Sequence, residues 1–217
     1  QDKRVLVTQA QDFMGPALAR VFGALGATVI ADARALDAPA AAAKAVEAAG
    51  DIDVLIAHLA LPAPSTAVAA VDDEEWRQVF AHMVDPLPRL ARAVLPQFTA
   101  RGGGRIVVIG SAAALRGQKR TSSYSAARGA QLGWVRAAGV ELARPGDRTV
   151  TQAAWLGVDG STPAGPAAVA GAARAAASKA VVAVSSRSRV GVRMPGRYPP
   201  RQGGRGTLRP CASRPGT

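Results

Sequence analysis

Aromatic residues are scarce in this chain, at 4% of 217 positions. A core must therefore be built from Ala, Val, Leu and Ile. There is one cysteine, Cys211, so no disulfide can form within the chain, and an oxidising compartment is not implied. Long apolar runs are missing too: none approaches the about 20 residues of a membrane-spanning helix. The opening residues QDKRVLV are charged and then only briefly apolar, too short for a secretory leader. These absences set the expectation of a soluble, cytoplasmic protein with no membrane partner. Acidic residues run short in one place. Positions 1–150 hold 17 Lys and Arg against 14 Asp and Glu, whereas positions 151–217 hold 10 against the single Asp159. The net charge of +12 is thus concentrated in the last third. A uniformly basic domain would suggest nucleic acid. A nearly neutral domain with a basic tail does not, and no nucleic-acid partner is expected.

What is present is strand–helix alternation. KRVLVTQ (3–9), ATVIAD (27–32), IDVLIAH (52–58), GGRIVVIGS (103–111) and RTVTQAA (148–154) are short apolar runs suited to buried strands. PALARVFGALG (16–26) and APAAAAKAVEAAG (38–50) predict helices stopped by Gly26 and Gly50. A long helix over 73–100, capped by Asp72 or Asp73, is expected to kink or break at Pro86, Pro88 or Pro96. The acidic run DDEE (72–75) favours that helix start and does little else. Thr121 or Ser122 caps a last helix reaching about Ala143. Continuously apolar strands alternating with helices predict an α/β fold, a doubly wound parallel sheet covered on both faces. Ligands on such sheets bind at the carboxyl ends of the strands, where Gln9–Gly15, Asp32, His58–Leu61 and Ser111 fall.

This grammar gives a domain over 1–160 and a basic Gly/Pro/Arg-rich tail over 161–217. Three readings of the tail stand side by side: a disordered basic tail, the product of a reading-frame shift near 151–165 in a GC-rich gene, or a nucleic-acid-binding tail with few stacking aromatics.

The chemistry gathers around GSAAALRGQKRTSSYSAARGAQLGW (110–134). Ser111 ends a central strand. Tyr124 and Arg128 are i and i+4 on a helix and share a face. The residues around them, SAA and GA, are small and leave that face open. A permanent cation beside a phenol favours the phenolate, and a tyrosinate is a sound general base for an alcohol proton. The Ser111 hydroxyl can hold the substrate oxygen. The first turn, TQAQDFMG (8–15), bears on cofactors. A dinucleotide site of the pattern T-G-x-x-x-G-x-G would put glycine at 9, 13 and 15, and only Gly15 is present. Phe13 reads as an aromatic wall for a small ligand.

These residues resemble the short-chain dehydrogenase/reductase superfamily and, within it, the halohydrin dehalogenases. Two motifs carry the resemblance: Ser111–x12–Tyr124–x3–Arg128, with arginine where dehydrogenases have lysine, and Thr8–x4–Phe13–x–Gly15 in place of the glycine-rich loop. Met83, where dehydrogenases usually carry a relay asparagine, and AHLA (57–60) in place of an NNAG-like motif point the same way. The segment 33–51 is short for the superfamily, so one early strand is expected to be missing. The resemblance implies a Rossmann-like fold and a cofactor-independent enzyme without metal. A vicinal haloalcohol would bind on Ser111 and Tyr124, Tyr124 would take the hydroxyl proton with Arg128 beside it, and the alkoxide would displace halide to give an epoxide. The reverse is ring opening by azide, cyanide or nitrite. Thr8, Phe13, Gly15 and Met83 would belong to the substrate and halide site, and helices in 73–143 would pair in a homodimer or homotetramer. The alternatives are an atypical NAD(P)-dependent dehydrogenase and an inactive, truncated paralogue. The halide loop near 151–165 and the C-terminal helices have no recognisable counterpart.

Weaker candidates remain. His58 ends a strand near the site and could contact substrate. His82 reads as helix surface, and neither has metal-ligand spacing. Asp32 reads as local structure, Trp155 as core rather than pocket, and Cys211 has no base near it in sequence.

Overall fold

Residues alternate between the two faces of each strand, and the fold follows from what covers those faces. The computed structural model describes residues 2–142 and the strand at 150–158. Strands β1 (Arg4–Val7), β2 (Thr28–Ala31), β3 (Val54–Ala57), β4 (Gly103–Ser111) and β5 (Val150–Val158) form one parallel sheet in the order β2-β1-β3-β4-β5. Leu6, Leu55, Ala57, Ile106 and Val108 face one side. There they are buried with apolar residues of helices α2 (Ala41–Ala49), α4 (Pro86–Ala100) and α5 (Ser122–Leu142). Val5, Val7, Val54, Ile56, Val107 and Ile109 face the other side, with Leu18 and Phe22 of helix α1 (Gly15–Ala24). The expected doubly wound, Rossmann-like parallel sheet is the one observed. Its aliphatic core answers the shortage of aromatics; Phe98 and Phe22 are the aromatic members of these two clusters.

The chain leaves β1 for β2 on one side and returns as β3 on the other, so the carboxyl ends of β1 and β3 flank a crevice. Only α2 lies between β2 and β3, which agrees with the expected loss of one early strand. The expected long helix is two. Helix α3 (Asp73–Met83) starts on Asp72, whose carboxylate accepts the Glu75 N–H at 2.8 Å. It ends at Val84, and α4 restarts with Pro86 in its first turn, where a missing N–H costs no helical bond. Pro96 sits inside α4 without breaking it. Strand β5 runs further than RTVTQAA suggests because it pairs with β4 at nine consecutive positions, from Gly103↔Val150 to Ser111↔Val158.

No helix among the described residues is long and apolar enough to cross a membrane. Cys211, the side chain of Trp155 and the stretch 161–217, with its three readings, lie outside the described residues.

Candidate active site

Four elements converge at the carboxyl edge of the sheet: the turn after β1, the loop after β3, the end of β4 and the first turns of α5. Between them lies a cavity of about 900 Å³ lined by Phe13, Ser111, Tyr124 and Arg128, together with Asp12, Leu61, Arg116 and Gln118. Four of the residues singled out in the sequence therefore share one site. Ser111 is the last residue of β4, in extended backbone, and its hydroxyl accepts the Ala113 N–H at 3.2 Å. Tyr124 lies in the first turn of α5 and packs beside Val79, Met83 and Ala127.

Arg128 is 7% exposed. Its guanidinium carbon stands 5.0 Å from the centroid of the Tyr124 ring, over the ring face. Its Nη1 donates to the Ile109 carbonyl at 2.9 Å and to Gln131 Oε1 at 3.0 Å. Gln131 Nε2 in turn donates to the Met83 carbonyl at 2.6 Å. Burial pushes Arg128 below the usual arginine value, while the neighbouring Tyr124 works the other way. A guanidinium starts so high that it keeps its charge at any working pH.

The turn after β1 has an unusual backbone. Gln9 and Phe13 both adopt left-handed φ, at 44° and 42°. These are two of the three positions where the glycine pattern would place glycine. A Cβ on Gly15, the third, would lie 2.5 Å from the carbonyl carbon and oxygen of Ala10. The turn thus keeps a glycine-loop path while carrying side chains at two of its three positions. The buried Gln9 amide clasps Ala60, accepting its N–H at 2.8 Å and donating to its carbonyl at 3.3 Å. Phe13 is 80% exposed and stands on the cavity wall. A dinucleotide needs close backbone approach at such a turn. With Gln9 bridging to the β3 loop and Phe13 in the cavity, these residues do not fit one.

Three expected site residues are not among those that line this cavity. Thr8 is fully buried; its hydroxyl donates to the His58 carbonyl at 3.0 Å and accepts the His58 N–H at 3.1 Å, so it ties β1 to β3 and does not line the cavity. Gly15 opens α1 and serves close packing against Ala10 rather than ligand contact. Met83 is fully buried behind Tyr124, and its carbonyl is what the site uses, as the acceptor for Gln131. His58 is also outside the lining. Its Nδ1 sits 3.1 Å from the Gln9 carbonyl, and burial lowers its pKa from the usual value, which favours the neutral ring. His82 stays on the helix surface, with Nδ1 2.8 Å from the Gln78 carbonyl. Asp32 is local structure as expected, bonded to the Arg34 N–H and paired with its guanidinium at 2.9 Å. Among the described residues no group of His, Cys, Asp or Glu is placed to hold a metal ion.

Sequence reasoning missed Gln131, Asp12, Arg116 and Gln118. Gln131 carried a usable signal: it lies at i+7 from Tyr124 and i+3 from Arg128, a polar residue on the buried face of α5. The other three sit on loops, where periodicity is silent.

The family model for short chain dehydrogenase matches residues 36–154. The chain belongs to the short-chain dehydrogenase family. Its relatives include a human dehydrogenase/reductase SDR family member 4, 27% identical over 170 residues, which cover 65% of this chain and 61% of the relative. The chain thus spans about three fifths of that relative's length. A 3-oxoacyl-[acyl-carrier-protein] reductase of Pseudomonas aeruginosa is 30% identical over 178 residues, covering 70% of this chain and 71% of the reductase. Among solved structures, one described as a dehalogenation enzyme superimposes with a TM-score of 0.65 and 30% identity, covering 72% of each chain. The short-chain dehydrogenase turn around Gly15 also sets a stability test. Gly15→Ala drives a methyl into the Ala10 backbone, which cannot rotate aside as a side chain would. Overpacking of this kind costs about 1–3 kcal/mol. A fall of the thermal midpoint by about 2–4 °C per kcal/mol is expected, read by differential scanning calorimetry.

Proposed function

We propose that this chain is a cofactor-independent halohydrin dehalogenase. The observation that carries the reading is the meeting of Ser111, Tyr124 and Arg128 with Phe13 around one cavity, beside a turn whose side chains do not fit a dinucleotide. The likeness to a dehalogenation enzyme supports it. The substrate is a vicinal haloalcohol. Its hydroxyl hydrogen-bonds to Ser111 and Tyr124. Tyr124, as phenolate, takes the hydroxyl proton, and Arg128 beside the ring offsets the negative charge. The alkoxide oxygen forms a bond to the neighbouring carbon as the carbon–halogen bond breaks, and the bonding pair leaves with the halide. An epoxide, a halide ion and a proton passed on to water complete the balance, with nothing oxidised or reduced. In reverse, a small anion opens the epoxide and Tyr124 returns the proton. Thr8, Gly15 and Met83 enter only as supports of this site.

A second reading, an atypical NAD(P)-dependent dehydrogenase, is favoured by the reductase relatives. One assay separates the two. Incubation with a simple vicinal bromoalcohol and no nicotinamide is expected to release bromide. Nicotinamide reduction that depends on an alcohol, without bromide release, would establish the second reading instead.

A further inference from the structure

Buried arginines ordinarily find a carboxylate, because a cation taken out of water needs a compensating charge. Arg128 has none among the described residues. Its guanidinium there donates to a backbone carbonyl and a side-chain amide and also hydrogen-bonds the Tyr124 side chain, while its Nε–H, also buried, has no hydrogen-bond partner. The burial is nearly complete and no described acid compensates it, yet Nη1 is held at two points. The Gln131 amide acts as a relay: its oxygen accepts from Arg128 and its nitrogen donates to the Met83 carbonyl at the end of α3. Gln131 is itself fully buried and does not line the cavity, so it touches neither substrate nor reacting atoms.

We propose that Gln131 is a positioning residue that holds Arg128 against Tyr124 while leaving the arginine's positive charge uncancelled. The inference rests on the dehalogenase reading for its kinetic consequence, though not for its electrostatic one. A carboxylate at 131 would still accept from the guanidinium, but it would lose the donor to the Met83 carbonyl and would consume the field that the phenolate needs. An amide anchors geometry without neutralising charge. It also couples three elements. The carbonyl of Ile109 lies two residues before Ser111 on β4, Met83 closes α3, and Arg128 and Gln131 are one turn apart on α5. The serine, the tyrosine and the cation are thereby kept in one register.

Two variants test this. Gln131→Met keeps length and volume but removes donor and acceptor; Gln131→Glu keeps shape and acceptor, removes the donor to the Met83 carbonyl and adds charge. With a vicinal bromoalcohol, Gln131→Met is expected to lower kcat by about 10–100-fold with KM changed little, as a misplaced catalytic group does. Gln131→Glu is expected to lose activity at neutral pH and regain it as pH rises. A readout free of turnover uses the tyrosine count. The chain has two tyrosines, Tyr124 and Tyr198. In a Tyr198→Phe background the ultraviolet absorbance of tyrosinate reports Tyr124 alone. It is expected to develop at higher pH in Gln131→Glu than with Gln131 in place, because a carboxylate beside the guanidinium disfavours the phenolate. Coincident tyrosinate curves would overturn the proposal, as would a Gln131→Met variant that loses thermal stability yet keeps its kcat. Should the unmutated chain release no halide, the dehalogenase reading falls, and the tyrosinate comparison still decides the role of Gln131.

Discussion

Tyr124→Phe is expected to abolish halide release from a vicinal bromoalcohol while leaving the fold in place. The substitution removes one oxygen and keeps the ring. The packing of that ring against Val79, Met83 and Ala127 is therefore retained. Proton transfer by a positioned base contributes about 10²–10⁴-fold to rate, and the alkoxide cannot form readily without it. The checks are bromide release at saturating substrate and the thermal midpoint of the same sample. A loss of at least about 100-fold with an unchanged midpoint is the expected pair. Persistent release would remove Tyr124 from the mechanism, and a collapsed midpoint would show that the hydroxyl matters to folding instead.

Arg128→Leu is expected to damage both activity and stability. The leucine supplies neither charge nor donors. The Ile109 carbonyl and the Gln131 amide oxygen each lose a buried donor, and an unsatisfied buried acceptor costs about 1–3 kcal/mol. Removing a desolvated cation offsets part of that cost. Because the Ile109 carbonyl lies just before Ser111 on β4, the strand that presents the serine loosens from the helix that presents the tyrosine. Turnover should fall by about 10² or more, and the urea midpoint should drop without a change in slope. A stable variant with native turnover would sever Arg128 from the chemistry. Comparing Arg128→Lys separates charge from shape. The lysine keeps a cation but lacks the planar guanidinium that lies over the Tyr124 ring and brings Nη1 to the Ile109 carbonyl and the Gln131 amide, so partial stability and poor turnover are expected.

Much of this was legible before any coordinates. The alternation of VLV, TVI, VLI and IVVI with helical segments led to the parallel sheet, because strands buried on both faces read as unbroken apolar runs. Ser111, Tyr124 and Arg128 were legible because helical spacing places i and i+4 together and a strand end points a side chain at the ligand edge. Phe13 was legible from the place it takes in the turn. Thr8, Gly15 and Met83 stand near the cavity without lining it, because sequence register gives proximity but not direction. Thr8 points across to the His58 backbone, and the side chain of Met83 turns into the helix packing. Gln9 was noted only as a missing glycine. Its amide clasp on Ala60 depends on two loops meeting in space, and no local pattern encodes such a meeting. The break between α3 and α4 was expected, but its position among three prolines depended on packing at the end of α3.

The left-handed backbone at Gln9 and Phe13 has a consequence for how such a chain can vary. A side chain in that conformation costs about 1–2 kcal/mol, and glycine removes the cost. Drift toward glycine at either position would relax the turn and, at the same time, reopen the path by which phosphate meets backbone. Relief of strain and the side chains that crowd the turn therefore pull against each other at these two positions. Selection for heat tolerance would favour glycine at these positions, whereas the proposed cofactor-independent reaction would favour the side chains that are present.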